Sequence, residues 1–324
     1  MKEATVQLPR QMSTLAADID NMYYFIFWVS VVFFVAIIGA AIWFLIKYRR
    51  DKNPHSTPPG HHDVLELFWT FAPLILLIPM FHYGFKGYVQ AMVAPDKAIE
   101  IRARGKQWVW DFYYPGDTEP TPGELVVPVG LPVKMQMSSL DVLHSFYIPE
   151  FRVKRDVVPG MYSSVWFEAT ATTSTYNKAA NKVEGEPLDL FCTEYCGTSH
   201  SQMLAKVHVV SPEDYQAFIA GKDVPPEGKP LAEVGAELYK KNACNTCHTV
   251  DGSKLVGPSF KGLFGKTESF EDGSTNVVDE NYIRQSILQP QAKITKGFGG
   301  ATMPVFVMKD WKIDALIEYI KSLK

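Results

Sequence analysis

Apolar and polar positions follow three rhythms along this chain, and each predicts a different kind of structure. After Met22 the residues run YYFIFWVSVVFFVAIIGAAIWFLI to Ile46 without a charge. That run exceeds the ~20 apolar residues needed to cross a bilayer, so residues 22–46 predict a membrane helix. A second stretch, residues 65–88, contains LFWTFAPLILLIPMF. Its apolar length exceeds the ~10–14 residues typical of a buried core helix. Pro73 and Pro79 fit a spanning helix when neighbouring helices satisfy the carbonyls they free.

Between Ala98 and Val210 the period drops to two. Residues 99–104, 108–114, 124–129, 133–137, 163–169 and 205–210 read as short alternations. Breaks fall at Pro115-Gly116, Pro122-Gly123, Val129-Gly130 and Pro159-Gly160, a β-sandwich or barrel pattern. Residues 170–187, rich in Thr, Lys, Asn and Glu, read as an enlarged, solvated loop. Residues 213–219 predict a short helix, and VPPEGKP after it a semi-rigid spacer. Beyond the spacer the period becomes helical, over residues 231–241, 281–288 and 311–323. In the last of these Ile313, Leu316, Ile317, Ile320 and Leu323 share a face. A bare core is thin in an all-α unit of under about a hundred residues, and a cofactor commonly fills part of it.

The expected architecture is a multidomain membrane protein. An external N-terminal segment (1–21) precedes a transmembrane helical hairpin (22–88). An all-β domain (89–211), a linker (212–230) and an all-α domain (231–324) follow. The 324 residues, 47% hydrophobic, suffice for two domains plus anchors. A net charge of −3 excludes the concentrated basic face of a nucleic-acid binder. Lys47, Arg49, Arg50 and Lys52 mark the loop between the helices as cytoplasmic, so both termini and everything after about Val89 lie outside. No cleavable signal peptide is evident, and the first helix serves as the export signal.

All four cysteines lie in the external region, as Cys192 with Cys196 and Cys244 with Cys247. Two local disulfides are the simple expectation in an oxidising compartment, and the surroundings oppose it. Cys244-Asn245-Thr246-Cys247-His248 is the C-x-x-C-H pattern, in which two thioethers fix a haem and the adjacent His binds its iron. A redox dithiol or a zinc site is the alternative. Gly257-Pro258 and Gly300-Ala301-Thr302-Met303-Pro304 follow, before a closing amphipathic helix. This resembles class I cytochromes c, and the resemblance implies Met303 as the second axial ligand, with Met308 as competitor.

Cys192 to Met203, CTEYCGTSHSQM, gathers two thiolates, the His200 imidazole and a thioether within a dozen residues. Soft sulfur with imidazole selects copper over hard cations. A second imidazole would come from His144, in Asp141-Val142-Leu143-His144-Ser145. A disulfide, a zinc site, which would not want the Met, and a thioredoxin-like copper chaperone are the competing readings. The chaperone would lack His200, Met203 and the upstream hairpin.

The hairpin, Gly105-Lys106-Gln107-Trp108-Val109-Trp110, the 141–145 segment and the 192–203 block, in that order, resemble cytochrome c oxidase subunit II over residues 20–211. Thr193 stands where Ser is common in that family. The resemblance implies a cupredoxin-like Greek-key domain. It also implies a dinuclear copper A centre held by His144, Cys192, Cys196, His200, Met203 and the Glu194 carbonyl. The Glu194 carboxylate would reach a magnesium or manganese ion at the boundary with subunit I. Trp108 aligns with the family's electron-accepting aromatic over the copper pair, expected on an exposed surface. Trp110, with Phe112 and Tyr113 beside it, reads as sheet packing. Glu66 stands where the family has a carboxylate at the mouth of a proton pathway, although a Glu there also suits the helix dipole. His61, His62, His82 and His208 lack ligand-like company and read as surface or packing residues.

The implied function is electron transfer from one haem c to the copper pair and on to subunit I, where oxygen is reduced to water. The setting is the cytoplasmic membrane of a bacterial cell, with the soluble domains on the periplasmic or outer side. An upstream cytochrome c or a quinol-oxidising complex would be the donor. No carboxylate dyad or nucleophile triad suggests independent catalysis. The competing functions are a nitric oxide reductase with a similar copper subunit, and a membrane-tethered electron carrier or copper-delivery protein.

Overall fold

The computed structural model describes residues 3–55, 60–117, 119–221, 225–226, 228–300 and 302–324. Residues 222–224 and 227 of the expected linker, and Ala301 beside Met303, lie outside the described residues. Two long helices come first, α1 (Ala16–Lys47) and α2 (Asp63–Met92). Both are apolar and long enough to cross a membrane. Trp28, Leu45 and Phe81 are 60%, 72% and 73% exposed on their flanks, so this surface requires an apolar surrounding.

α1 begins at Ala16, ahead of the apolar run, because tertiary contacts order its N-terminal end. Asp20 is buried there and takes two bonds from the Arg152 guanidinium, at 2.7 and 3.0 Å. Arg152 also reaches the carbonyls of Pro9 and Pro149, both at 2.6 Å, from a backbone with φ of +58°. At the other helix, Trp166 Nε1–H donates to the Gln90 carbonyl at 2.9 Å. The membrane pair is thereby fastened to the β domain at both helices. Breaking a buried ion pair on one side leaves an uncompensated charge, so Arg152→Ala will destabilise the junction by about 3 kcal/mol. Thermal unfolding of the purified chain reads this, and an unchanged transition would show the pair to be dispensable.

The next strands are β1 (Ile99–Lys106), β2 (Val109–Tyr113), β3 (Thr121–Pro122), β4 (Glu124–Pro128), β5 (Pro132–Ser139) and β6 (His144–Ile148). They continue as β7 (Val153–Val157), β8 (Ser163–Glu168), β9 (Ser174–Asn177), β10 (Lys182–Gly185), β11 (Leu188–Cys192) and β12 (Leu204–Val210). One sheet has the order β3-β2-β1-β5-β8 and the other β4-β12-β11-β6-β7. Ile101, Met135, Met137 and Phe167 of the first share a single core with Leu125, Phe146, Ile148 and Val207 of the second. β5 shows the physical basis, burying alternate residues from Val133 to Ser139. In β2 all five residues are buried, so both its faces are covered.

The residues expected to form a solvated loop instead supply the β9–β10 hairpin, which packs on helix α3 (Pro212–Gly221). Tyr176 is 8% exposed and its hydroxyl donates to Asn181 Oδ1 at 2.7 Å. Asn181 in turn donates to the Gly221 carbonyl at 2.9 Å. Polar composition concealed this clamp because bonds between polar groups supplement the few apolar side chains it buries, Tyr176 and Val183.

The last domain holds α4 (Leu231–Lys241), a hairpin of β13 (Thr267–Ser269) and β14 (Thr275–Val277), α5 (Glu280–Leu288) and α6 (Asp310–Ser322). Its core runs through Tyr239, Ile283, Ile313, Leu316 and Ile320. Asp279 caps α5 by accepting the Tyr282 N–H at 2.8 Å.

Candidate metal centre and cytochrome crevice

β6 and β11 are antiparallel neighbours, with Cys192 paired to Phe146, so the sheet register sets the start of β6 beside the end of β11. The following loop folds back on itself: Cys192 N–H donates to the Met203 carbonyl at 3.2 Å and Thr193 N–H to Ser145 at 3.0 Å. Its donor atoms then converge. Cys192 Sγ lies 3.9 Å from His144 Nδ1, 3.3 Å from the Glu194 carbonyl oxygen and 3.8 Å from Cys196 Sγ. Cys196 Sγ lies 3.4 Å from His200 Nδ1 and 3.7 Å from Met203 Sδ. The sulfurs are too far apart for a disulfide bond of about 2.05 Å, and all four cysteines are free. His144, Cys192 and Cys196 form a buried metal-competent group. Two thiols, a thioether and two imidazoles suit copper and leave no place for a hard cation at this centre.

His144 is fully buried, with its Nε2 2.8 Å from Asp141 Oδ1. Asp141 fixes the ring so that Nδ1 faces the sulfurs, the arrangement that orients a metal-binding imidazole. Burial opposes protonation of His144, but Asp141 and Cys192 outweigh it and hold its pKa above the ordinary value. Burial raises the Cys192 thiol, yet bonds from His144 and nearby backbone groups reverse this and lower it. Cys196 is driven upward, first by burial and then by Cys192. Metal must displace protons from such a pair, so copper uptake by the metal-free chain will release protons and weaken as pH falls. Titrations at two pH values measure this. Asp141→Ala will lower copper affinity about 10–100-fold in competition with a chelator. Asp141 stands three residues before His144, a spacing that could have revealed its role.

The Cys196 carbonyl accepts two further bonds, from Gln107 Nε2 at 2.7 Å and Trp108 Nε1 at 3.2 Å. Gly105 stands beneath this corner. A Cβ on it would lie 2.8 Å from the His144 ring and 3.2 Å from Trp110, so only glycine lets β1 pass so close. Trp110 is fully buried, as its packing role requires, and Trp108 is half-buried between the two soluble domains rather than freely exposed.

In the helical domain α4 ends at Lys241 and Ala243, with φ of +53°, turns the chain into Cys244. His248 Nδ1 donates to the Pro258 carbonyl at 2.7 Å, leaving Nε2 available to a metal. Phe260 stacks on the imidazole at 4.6 Å, and a Cβ on Gly257 would meet the ring at 2.6 Å. Burial lowers the His248 pKa, which keeps a neutral ligand. Burial also pushes Cys244 up to about 12 and raises Cys247, opposite to the depressed thiol a redox dithiol needs. These residues line an apolar crevice, with Met303 and Met308 on its wall. The cysteine pair, the oriented imidazole, the thioethers and this apolar space fit a covalently held haem. Gln107, Trp108 and Val109 of the β domain complete the lining.

The remaining sequence candidates lie apart. Glu66 stands in the first turn of α2, 3.3 Å from His61 Nδ1, and His62 caps that helix by accepting the Leu65 N–H at 3.2 Å. His208 is buried on Ser174 at 2.9 Å.

Comparison with known proteins gives the family. The model for the cytochrome c oxidase subunit II transmembrane domain matches residues 2–86, and that for its periplasmic domain matches residues 120–210. The cytochrome c model matches residues 232–324. Cytochrome c oxidase subunit 2 of Alkalihalophilus pseudofirmus is 31% identical over 319 residues, covering 94% of this chain and 86% of that protein. The alternative cytochrome c oxidase subunit 2 of Bradyrhizobium diazoefficiens is 28% identical over 231 residues, 62% of this chain and 79% of that one. With its two membrane helices, β-sandwich and helical cytochrome c domain, the chain belongs to the cytochrome c oxidase subunit 2 family.

Proposed function

We propose that this chain is the electron-accepting subunit of a terminal oxidase, relaying electrons from a haem c to a dinuclear copper centre for delivery to subunit I. The single observation that supports this most is Trp108. Its indole N–H bonds the Cys196 carbonyl, while the same residue lines the crevice that holds Cys244, Cys247 and His248. One side chain therefore touches both candidate sites.

When bound, copper and haem supply reversible one-electron chemistry. Cys192, Cys196, His144, His200, Met203 and the Glu194 carbonyl would together hold the copper pair. Cys244 and Cys247 would hold the haem, with His248 and Met303 at its iron. Asp141, Gln107 and the buried strands fix these ligands so that little rearrangement accompanies a change of charge. The Glu194 carboxylate, left outside the sulfur cluster, would reach magnesium or manganese at the subunit I boundary. Glu66, at the basic-loop end of α2, would open a proton path into subunit I. The basic loop faces the cytoplasm of a bacterial cell, and the soluble domains face outward, where cytochrome c or a quinol-oxidising complex supplies electrons.

Mild-detergent purification of the tagged full chain from its own membrane tests this reading. The expected result is a co-purifying polytopic subunit with additional haem, and oxygen consumption driven by reduced cytochrome c. Activity on nitric oxide without oxygen consumption would assign the complex to the reductases. A chain that purifies alone would leave a tethered carrier or copper-delivery protein.

A further inference from the structure

We propose that the β-sandwich carries a dedicated seat for the cytochrome domain of the same chain, latched by Glu119 onto the start of α6. This rests on the relay proposed above and adds the surface that keeps its two halves together. Glu119 lies between β2 and β3 and is 8% exposed. Its Oε1 accepts the Lys309 N–H at 3.1 Å and Lys312 Nζ at 2.8 Å. Lys309 is the cap residue of α6 and makes no capping bond with its own side chain. The other domain thus supplies a carboxylate to the positive end of this helix. Glu119 Oε2 is buried without a hydrogen-bond partner. A carboxylate desolvated to this degree is unusual on a surface that meets its neighbour by chance.

Two further contacts flank the latch. Lys241 Nζ meets Glu124 Oε2 at 2.9 Å, again with the acid on the sandwich and the base on the cytochrome domain. Lys106 Nζ lies 4.5 Å from the centre of the Phe306 ring. Lys106 is itself buried and paired with Asp111 at 2.7 Å, which accounts for the covered outer face of β2. The charges across the seam are complementary, and the seam borders the crevice walled by Gln107, Trp108 and Val109. Only residues 222–230 separate α3 from α4, so the cytochrome domain stays at an effective concentration of about millimolar. A seat whose intrinsic dissociation constant lies about tenfold below that concentration is then largely occupied, and loss of one desolvated pair is enough to empty much of it. The docked pose is the resting, transfer-competent state rather than a transient encounter.

The test uses the assembled oxidase. Flash reduction of the haem, followed at the copper absorbance, reports internal transfer. Glu119→Lys will slow this step about tenfold with both static spectra unchanged, and adding Lys312→Glu will restore it to within about twofold. A Glu119→Lys rate within about twofold of wild type overturns the proposal. A second readout needs no chromophore: a zero-length carbodiimide will join the accessible flanking pair Glu124 and Lys241 in the wild-type chain, identified as a linked peptide by mass spectrometry. Its absence also overturns the seat. A chain lacking haem or copper would instead sink the relay, while the linked peptide would still decide the seat.

Discussion

Cys196→Ser will remove the paired-copper signal and cut oxygen consumption by the assembled oxidase more than about 100-fold, beyond the usual cost of losing an outer partner of a metal ligand. Cys196 is the hub of the cluster. Its sulfur approaches Cys192, His200 and Met203 within 3.8 Å. Serine nearly matches its shape, and the site is 2% exposed, so the sandwich will fold. A hard hydroxyl in place of the thiolate no longer suits soft copper. Copper analysis, spin-resonance spectra and oxygen uptake measure the three consequences. Near-normal oxygen uptake would remove Cys196 from the centre.

Replacing Cys244 and Cys247 together by Ala will abolish haem that survives denaturing electrophoresis. The cytochrome domain will lose at least about 4 kcal/mol, because a tightly held ligand stabilises the folded form alone. The crevice is bordered by Leu263, Ile283, Ile287 and Leu316, so an empty space would leave this small core unfilled. Copper loading on the sandwich will persist, which separates this outcome from general misfolding. Thermal unfolding and haem staining check the two parts. Covalent haem in the double variant would contradict the assignment of C-x-x-C-H.

Much of this was legible in the sequence, for identifiable reasons. Charge-free runs expose membrane helices because water cannot satisfy so much apolar surface. C-x-x-C-H and the 192–203 block are legible because their chemistry is local. The helices after the spacer were legible because each has one apolar face. β6 and β11 escaped because each has one end in a ligand segment, His144 in one and Cys192 in the other, where spacing rather than alternation dominates. β2 hid its outer covering, since burial on both faces erases a period of two. The early start of α1 depends on Asp20 meeting Arg152, 132 residues away. Glu119 offered no signal at all: a single acid in a turn gains meaning only from the helix that docks on it. The same docking explains why Trp108 is half-buried where a free surface was expected.

The relay requires that one chain hold both a copper pair and a covalent haem, and their stoichiometry in the purified full-length chain decides it. Elemental analysis with spin-resonance and optical spectra is predicted to give copper and haem at about two to one. It should also give a delocalised mixed-valence copper signal that is lost in His144→Ala. Haem without copper under copper-replete conditions would rule out the relay and leave a membrane-tethered cytochrome.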